Sequence, residues 1–306
     1  MQDSPDALTR ARVALATAAH TLGLQPLPEA AIDSVYLPLA AALAASAQGA
    51  KHCHVIGLSG AQGTGKSTLA HLLQAVLEHA WGLRTVVLSL DDYYLPKLER
   101  QRLAHNVHPL LATRGAPGTH EVVALDRALQ ALRHATENSQ IELLRFSKAH
   151  DDRSATTDTH RGACDMILFE GWCVGARREL TENLLTPINE LERDEDRSGA
   201  FRAYVNAQLV GPYAKLWQQL DRLCFLSVAD MSQVIALRSE QEQQLLKRHS
   251  DAPSSMNHAQ LVRFIQHFER VTRHMLHTTP DYADVVIRIA ADRSLAITAN
   301  RIASRT

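Results

Sequence analysis

The chain has 306 residues, 45% of them hydrophobic and 21% charged, so it can bury a sizeable core and fold as one large domain or two. Its 32 Lys and Arg stand against 33 Asp and Glu, a formal net charge of −1. That balance excludes a broad electrostatic footprint for nucleic acid or an anionic membrane, and any anion must be bound locally.

Near the N-terminus, Asp3, Asp6, Arg10 and Arg12 interrupt the apolar residues, unlike the uninterrupted core of a secretory signal. Ser4 can cap a first helix with Pro5 in its first turn, and a second, Ala-rich helix is expected to begin after Pro28 or Pro38 and to end at Gly49. The richest apolar window, Leu37 to Ala47, is too short to span a bilayer, so a cytoplasmic protein is expected, with neither membrane nor nucleic acid as partner. Residues 1–50 thus read as a helical extension.

From His52 onward the pattern changes to short apolar runs alternating with amphipathic helices. "HVIGLS", "RTVVLSL", "IELLRF", "DMILFE", "RLCFLSV" and "DVVIRIA" are the strand candidates. Strands alternating with longer helical patterns predict an α/β fold with a mainly parallel sheet. Leu69, Leu72, Leu73, Val76 and Leu77 share one face of a helix that stops at Gly82, and Val122, Leu125, Leu129 and Leu132 share one face of another. The acidic stretch from Thr181 to Ser198 reads as a surface excursion with a solvated charge run. Phe201, Tyr204, Val205, Leu209, Tyr213, Leu216 and Trp217 recur at helical spacing, broken at Gly211 and Pro212, and read as packing, with Tyr204 and Asn206 as weaker candidates near a substrate. Two further helices, about Met231 to Arg248 and Asn257 to His277, flank the loop "SDAPSSMN", and region 230–278 is placed where a mobile lid can attach. Cys53, Cys164, Cys173 and Cys224 form no CxxC pair and read as reduced, buried thiols; the 16 histidines lack a metal-site pattern.

Gly60, Gly65, Lys66 and Ser67 fit G-x-x-x-x-G-K-[ST], after an apolar strand and at the start of a helix, as the phosphate-binding loop requires. Gly60, Gly63 and Gly65 let the backbone wrap an anion with its N–H groups inward, and the following helix N-terminus adds partial positive charge. Lys66 brings a full charge to terminal phosphates, and the Ser67 hydroxyl is a hard oxygen ligand suited to Mg²⁺. The whole loop, Gly60, Ala61, Gln62, Gly63, Thr64, Gly65, Lys66, Ser67 and Thr68, is therefore expected to hold ATP with Mg²⁺. No N-K-x-D or T-K-x-D occurs to read guanine.

The strand "TVVLSL" runs into Asp91, Asp92, Tyr93 and Tyr94 at the carboxyl edge of the sheet, where open α/β sheets bind ligands. A carboxylate there can take the proton of a hydroxyl attacking a γ-phosphoryl group, which makes Asp91 the candidate base; the alternative is that the Asp pair only caps the next helix. Glu170 ends "DMILFE" at an equivalent edge and is the candidate for organising magnesium.

In this order, "GLSGAQGTGKSTLA", "SLDDYYL", "RGAPGTHE", "RFSKAHDDR" and "FEGWCVGAR" together resemble the P-loop kinases related to plant-type D-glycerate 3-kinase and, more distantly, the uridine kinase, phosphoribulokinase and pantothenate kinase group. The resemblance covers roughly residues 50–290. It implies a three-layer α/β/α P-loop kinase domain over 51–306 and ATP-dependent phosphoryl transfer to a small-molecule hydroxyl. Glycerate or a related hydroxy acid is the first expectation for the acceptor; a nucleoside, pantothenate-like compound or sugar alcohol, or an ATP-binding regulator without catalysis, are the alternatives. It further implies that Tyr94, Arg114, Lys148, Asp152 and Arg153 face the acceptor, and that Arg238 approaches the transferred group from the lid, in competition with Arg177, Arg178, Lys247, Arg270 and Arg273. Arg114, Lys148 and Arg153 are cations suited to an anionic acceptor. Glu121 stands where the family carries Asp, and "AHD" fills a segment between Lys148 and Arg153 where the family carries glycine.

Overall fold

The computed structural model describes residues 5–47, 52–248 and 256–302. Its strands are β1 (His54–Gly60), β2 (Thr85–Ser89), β3 (Gln140–Leu143), β4 (Phe146–Ser147), β5 (Asp152–Arg153), β6 (Asp158–Arg161), β7 (Met166–Gly171), β8 (Arg222–Ser227), β9 (Val285–Ile289) and β10 (Leu295–Asn300). Six of them form one sheet in the order β10-β9-β8-β1-β7-β2, parallel except for the edge strand β10. β1 and β7 are buried at every position, which is why they read as unbroken apolar runs.

The helices are α1 (Pro5–Thr21), α2 (Glu29–Ala31), α3 (Leu37–Ala47), α4 (Lys66–Trp81), α5 (Lys97–Asn106), α6 (Val122–Arg133), α7 (Glu190–Glu195), α8 (Ala200–Val210), α9 (Pro212–Trp217), α10 (Met231–Arg248) and α11 (His258–Tyr282). They cover both sheet faces. One core joins α1, α3, α4 and α10 to one face, with Leu15, Leu43, Leu73, Val76 and Val234 fully buried. The other joins α6, α8, α9 and the later part of α11 to the opposite face, around Phe169, Tyr213, Leu129 and Phe225. The three-layer α/β/α fold expected from the sequence is the observed one.

Several expectations need correction. The Ala-rich helix does begin after Pro28, the earlier of its two expected starts, and runs without interruption from Glu29 to Ala47, with Ile32–Tyr36 in a wider π-type turn just ahead of Pro38, which cannot donate a backbone hydrogen bond. At 19 residues it is long and apolar enough to cross a membrane by length and composition, so the estimate from Leu37 to Ala47 was too short; its Leu39, Ala40 and Leu43 are buried against the sheet-covering helices. "IELLRF" is not a strand of the main sheet. It splits into β3, paired with β6, and β4, paired with β5, because Gln140 and Glu142 alternate outward and Arg145 turns away to Asp92 and Asp158. β10 was not foreseen, since its residues alternate in exposure at an edge. Helix α11 continues past His277 to Tyr282 with Pro280 in its last turns. The Ser4 cap, the stop at Gly49 and most of "SDAPSSMN" lie outside the described residues, although Asn257 does cap α11 in a reciprocal box with Gln260.

The acidic excursion is not solvated throughout. Glu192 and Asp196 are buried, and each is met by an arginine: Arg270 forks onto Glu192 at 2.7 and 2.8 Å, and Arg202 donates to Asp196 at 2.9 Å. Asp196 also accepts the first free amides of α8, from Phe201 and Arg202. A run that looks like surface charge is the polar spine holding α7, α8 and α11 together.

Candidate active site

Register brings the site together. Glu170 on β7 lies beside Leu58 on β1 and Ser89 on β2, so the ends of three adjacent parallel strands open on the same edge as the loop that leaves β1. Gly65 takes φ 83 with nothing within 4 Å of where a Cβ would stand, leaving open space at the mouth of α4. At Gly63 the opposite holds: a Cβ would lie 2.9 Å from the backbone of Leu237, so only glycine lets α10 rest directly on the loop. Thr64 closes the loop by donating to the Ala61 carbonyl at 2.7 Å.

Lys66 donates to that same carbonyl at 3.1 Å. Burial pushes its ammonium below the ordinary lysine value, against the opposing charges of Glu170 and Asp91. Glu170 accepts from Ser67 at 3.0 Å and from Ser89 at 2.6 Å through the same oxygen. A hydroxyl and a carboxylate in contact at a helix N-terminus are hard oxygen donors that suit Mg²⁺ completed by phosphate and water. Among the described residues no group of three or more His, Cys, Asp or Glu gathers as a metal site.

Beyond β2 the chain makes a 3₁₀ turn, Leu90–Tyr93, capped by Ser89 rather than by either aspartate. Asp91 instead turns into a cavity of about 220 Å³, where its Oδ1 accepts from Tyr94 at 2.6 Å and its Oδ2 from Lys148 at 2.6 Å. Burial alone would raise this carboxyl, but Lys148, Tyr94 and Lys66 outweigh it and hold it at about 2. Burial, reinforced by Asp91, raises the Tyr94 phenol well above its usual range, so it stays a donor. Asp92 points elsewhere, to Arg145 and the Phe146 amide.

The cavity gathers Gln62, Gly63, Lys66 and Ser67 with Asp91, Tyr94, Arg114, Lys148 and Glu170. Arg238 and Gln241 of α10 and Phe264 and Phe268 of α11 complete it, together with Trp172. Arg238 pairs with Glu242 and, among the described lid arginines, is the one that lines the cavity. The others have different work: Arg177 stacks 3.7 Å over the Tyr282 ring, Arg270 holds Glu192, Arg273 pairs with Glu269 on its own helix and Arg178 is exposed, while the Lys247 side chain is outside the described residues.

Four acceptor-side expectations move. Arg153 does not line the cavity but pairs with Glu121. Asp152 accepts the Lys97 amide at 3.1 Å, outside the cavity. Tyr204 packs over Gly118, and Asn206 bonds the Glu179 backbone, so neither reaches it. Sequence reasoning missed Trp172, Gln241, Phe264, Phe268 and Asp151. Phe264 and Phe268 have the i, i+4 spacing of ordinary core, and no pattern distinguishes them from it. Asp151 had a signal in "AHD", the segment standing where the family carries glycine: it adopts φ 53, the left-handed position normally left to glycine, and its carboxylate reaches both Arg114 and Arg100.

The chain is 31% identical over 222 residues to an uncharacterized kinase, mug58, of Schizosaccharomyces pombe, a match covering 70% of this chain and 78% of that protein. The chain belongs to this P-loop kinase family. The kinase is also 25% identical over 182 residues to a uridine kinase of Lactobacillus helveticus, 54% of this chain and 79% of that one. Its fold matches that of D-glycerate 3-kinase from Cryptococcus neoformans var. grubii with TM-score 0.71 at 23% identity, over 86% of this chain and 97% of that one. No family model matches the kinase. It is thus a phosphotransferase with a P-loop nucleotide site.

Proposed function

We propose that this kinase transfers the γ-phosphoryl group of ATP to a hydroxyl of a small anionic molecule, with D-glycerate or a related hydroxy acid as the first candidate. The carrying observation is that Lys66 and Asp91 line one cavity together with Arg114, Lys148 and Arg238. The loop from Gly60 to Thr68 binds the triphosphate, and Lys66 neutralises its terminal groups. Asp91 orients the acceptor hydroxyl and takes its proton, while Tyr94 keeps the carboxylate aimed. Arg114 and Lys148 bind the acceptor's anionic group, and Arg238 offsets charge developing on the transferred phosphoryl. Ser67 and Glu170 would hold Mg²⁺, which supplies charge neutralisation between the phosphates. Residues 230–278 act as a lid over a domain spanning 51–306, with 1–50 as its helical extension.

The test is an acceptor panel of hydroxy acids, nucleosides, pantothenate and sugar alcohols, read as acceptor-dependent ADP release. A hydroxy acid should give many turnovers, and Lys66→Ala should lower kcat/KM by on the order of 10³-fold with the fold intact. A Lys66→Ala protein as active as wild type sinks the assignment. A flat response across the panel, with nucleotide-dependent complex formation, would identify a regulator instead.

A further inference from the structure

Both oxygens of Asp91 are occupied by the protein's own donors: Tyr94 donates to one and Lys148 to the other, each at 2.6 Å. The two donors differ in permanence. Tyr94 is buried, with its ring edge-on to Phe146 and tilted against His120. The Lys148 side chain is 62% exposed, on the short connection between β4 and β5, at the end of a flexible four-carbon stem. Arg114 and Arg238 in the same cavity are also paired, but to Asp151 and Glu242, neither of which lines the cavity. Lys148 alone among these cations occupies the oxygen that a reacting hydroxyl needs.

We propose that Lys148 is an acceptor-operated latch on Asp91: it holds the carboxylate in an ion pair until an anionic group on the acceptor draws the ammonium away and frees Oδ2 for the hydroxyl. This rests on the kinase reading above. The Lys148 end of the pair is exposed, so its ammonium can pass from Asp91 to a second carboxylate while keeping its contact with water. Once Oδ2 is free, the acceptor oxygen bonds to the γ-phosphorus, its proton passes to Oδ2, and the bond to the β–γ bridging oxygen breaks, releasing ADP. Water and neutral alcohols have no anion with which to open the latch. The device therefore suppresses wasteful hydrolysis and selects charged acceptors by the same contact.

The experiment measures ATP hydrolysis without acceptor for wild type, Lys148→Met and Lys148→Arg, each also with propionate, a three-carbon carboxylate lacking a hydroxyl, and with glycerol. Lys148→Met should hydrolyse ATP about a hundredfold faster than wild type, at the low end of what a freed general base supplies. Propionate should stimulate wild type and leave Lys148→Met unmoved, glycerol should stimulate neither, and Lys148→Arg should bring the rate back down toward wild type. A folded Lys148→Met protein that hydrolyses ATP no faster than wild type overturns the latch. Should wild type still phosphorylate a hydroxy acid in that case, the kinase reading survives alone; should it phosphorylate nothing while Lys148→Met is faster, the latch survives and the acceptor assignment falls.

Discussion

His120 is set behind the site, and its environment shows how a single buried ring records the local electrostatics. Tyr213 accepts from the Gly118 amide at 2.9 Å and shares a 2.6 Å hydrogen bond with His120 Nδ1. Burial pushes this imidazole down to about 4, with Asp91 opposing weakly. The unfolded chain therefore binds a proton near the ordinary value of 6.5 that the folded chain refuses. Stability is complete above pH 6.5 and is lost as the pH falls from there toward 4, by on the order of 3 kcal/mol from this group. Urea unfolding at pH 7 and pH 4.5 should show a smaller acid loss for His120→Gln than for wild type; equal slopes would remove His120 as the cause. At the same scale Asp151 illustrates a half-legible signal. Three residues, "AHD", sit where a glycine-bearing segment was expected, and the left-handed φ shows that the backbone requirement persists while the side chain adds a charge that holds Arg114.

At the scale of elements, α11 is held where it crosses the cavity by Arg270. Its guanidinium bonds Glu192 of α7 through two nitrogens and also caps the carbonyls of Asn183 and Thr186. Removing one partner of a buried pair leaves the other charge without compensation, which is worse than losing both. Arg270→Met should cost about 3–5 kcal/mol in denaturant unfolding. Glu192→Gln combined with Arg270→Met should recover part of that loss, and strictly additive losses would show that the pair is not coupled. The amphipathic pattern located α11, but nothing in the local pattern indicated that the acidic run near Glu192 turns inward. Its partner lies nearly eighty residues away, and a buried carboxylate reads the same as an exposed one until its arginine is placed.

Across the whole molecule, the N-terminal helices share a core with the sheet. Leu15 and Leu43 are fully buried with Leu72 and Val76 of α4, and Arg10 donates to the Ala80 carbonyl at 3.2 Å. Leu15→Ala should lower the stability of the whole chain by about 3 kcal/mol, seen as a shifted midpoint of one cooperative transition with the slope unchanged. Two transitions, or an unmoved midpoint, would mean that residues 1–50 fold as a separate unit.

What the linear order of residues determined by itself is local chemistry: the glycine loop with Lys66 and Ser67, the strand-end acids Asp91 and Glu170, and the alternation of apolar runs and helices that selects a parallel sheet. Each of these is encoded within a short span, where spacing and residue type already imply the geometry. Only the tertiary structure decided which cations enter the cavity and which are spent elsewhere, placing Lys148 and Arg238 inside, Arg153 on Glu121 and Arg270 on Glu192. A charge takes its role from the partner that folding brings to it, and long-range pairing leaves no periodic trace along the chain.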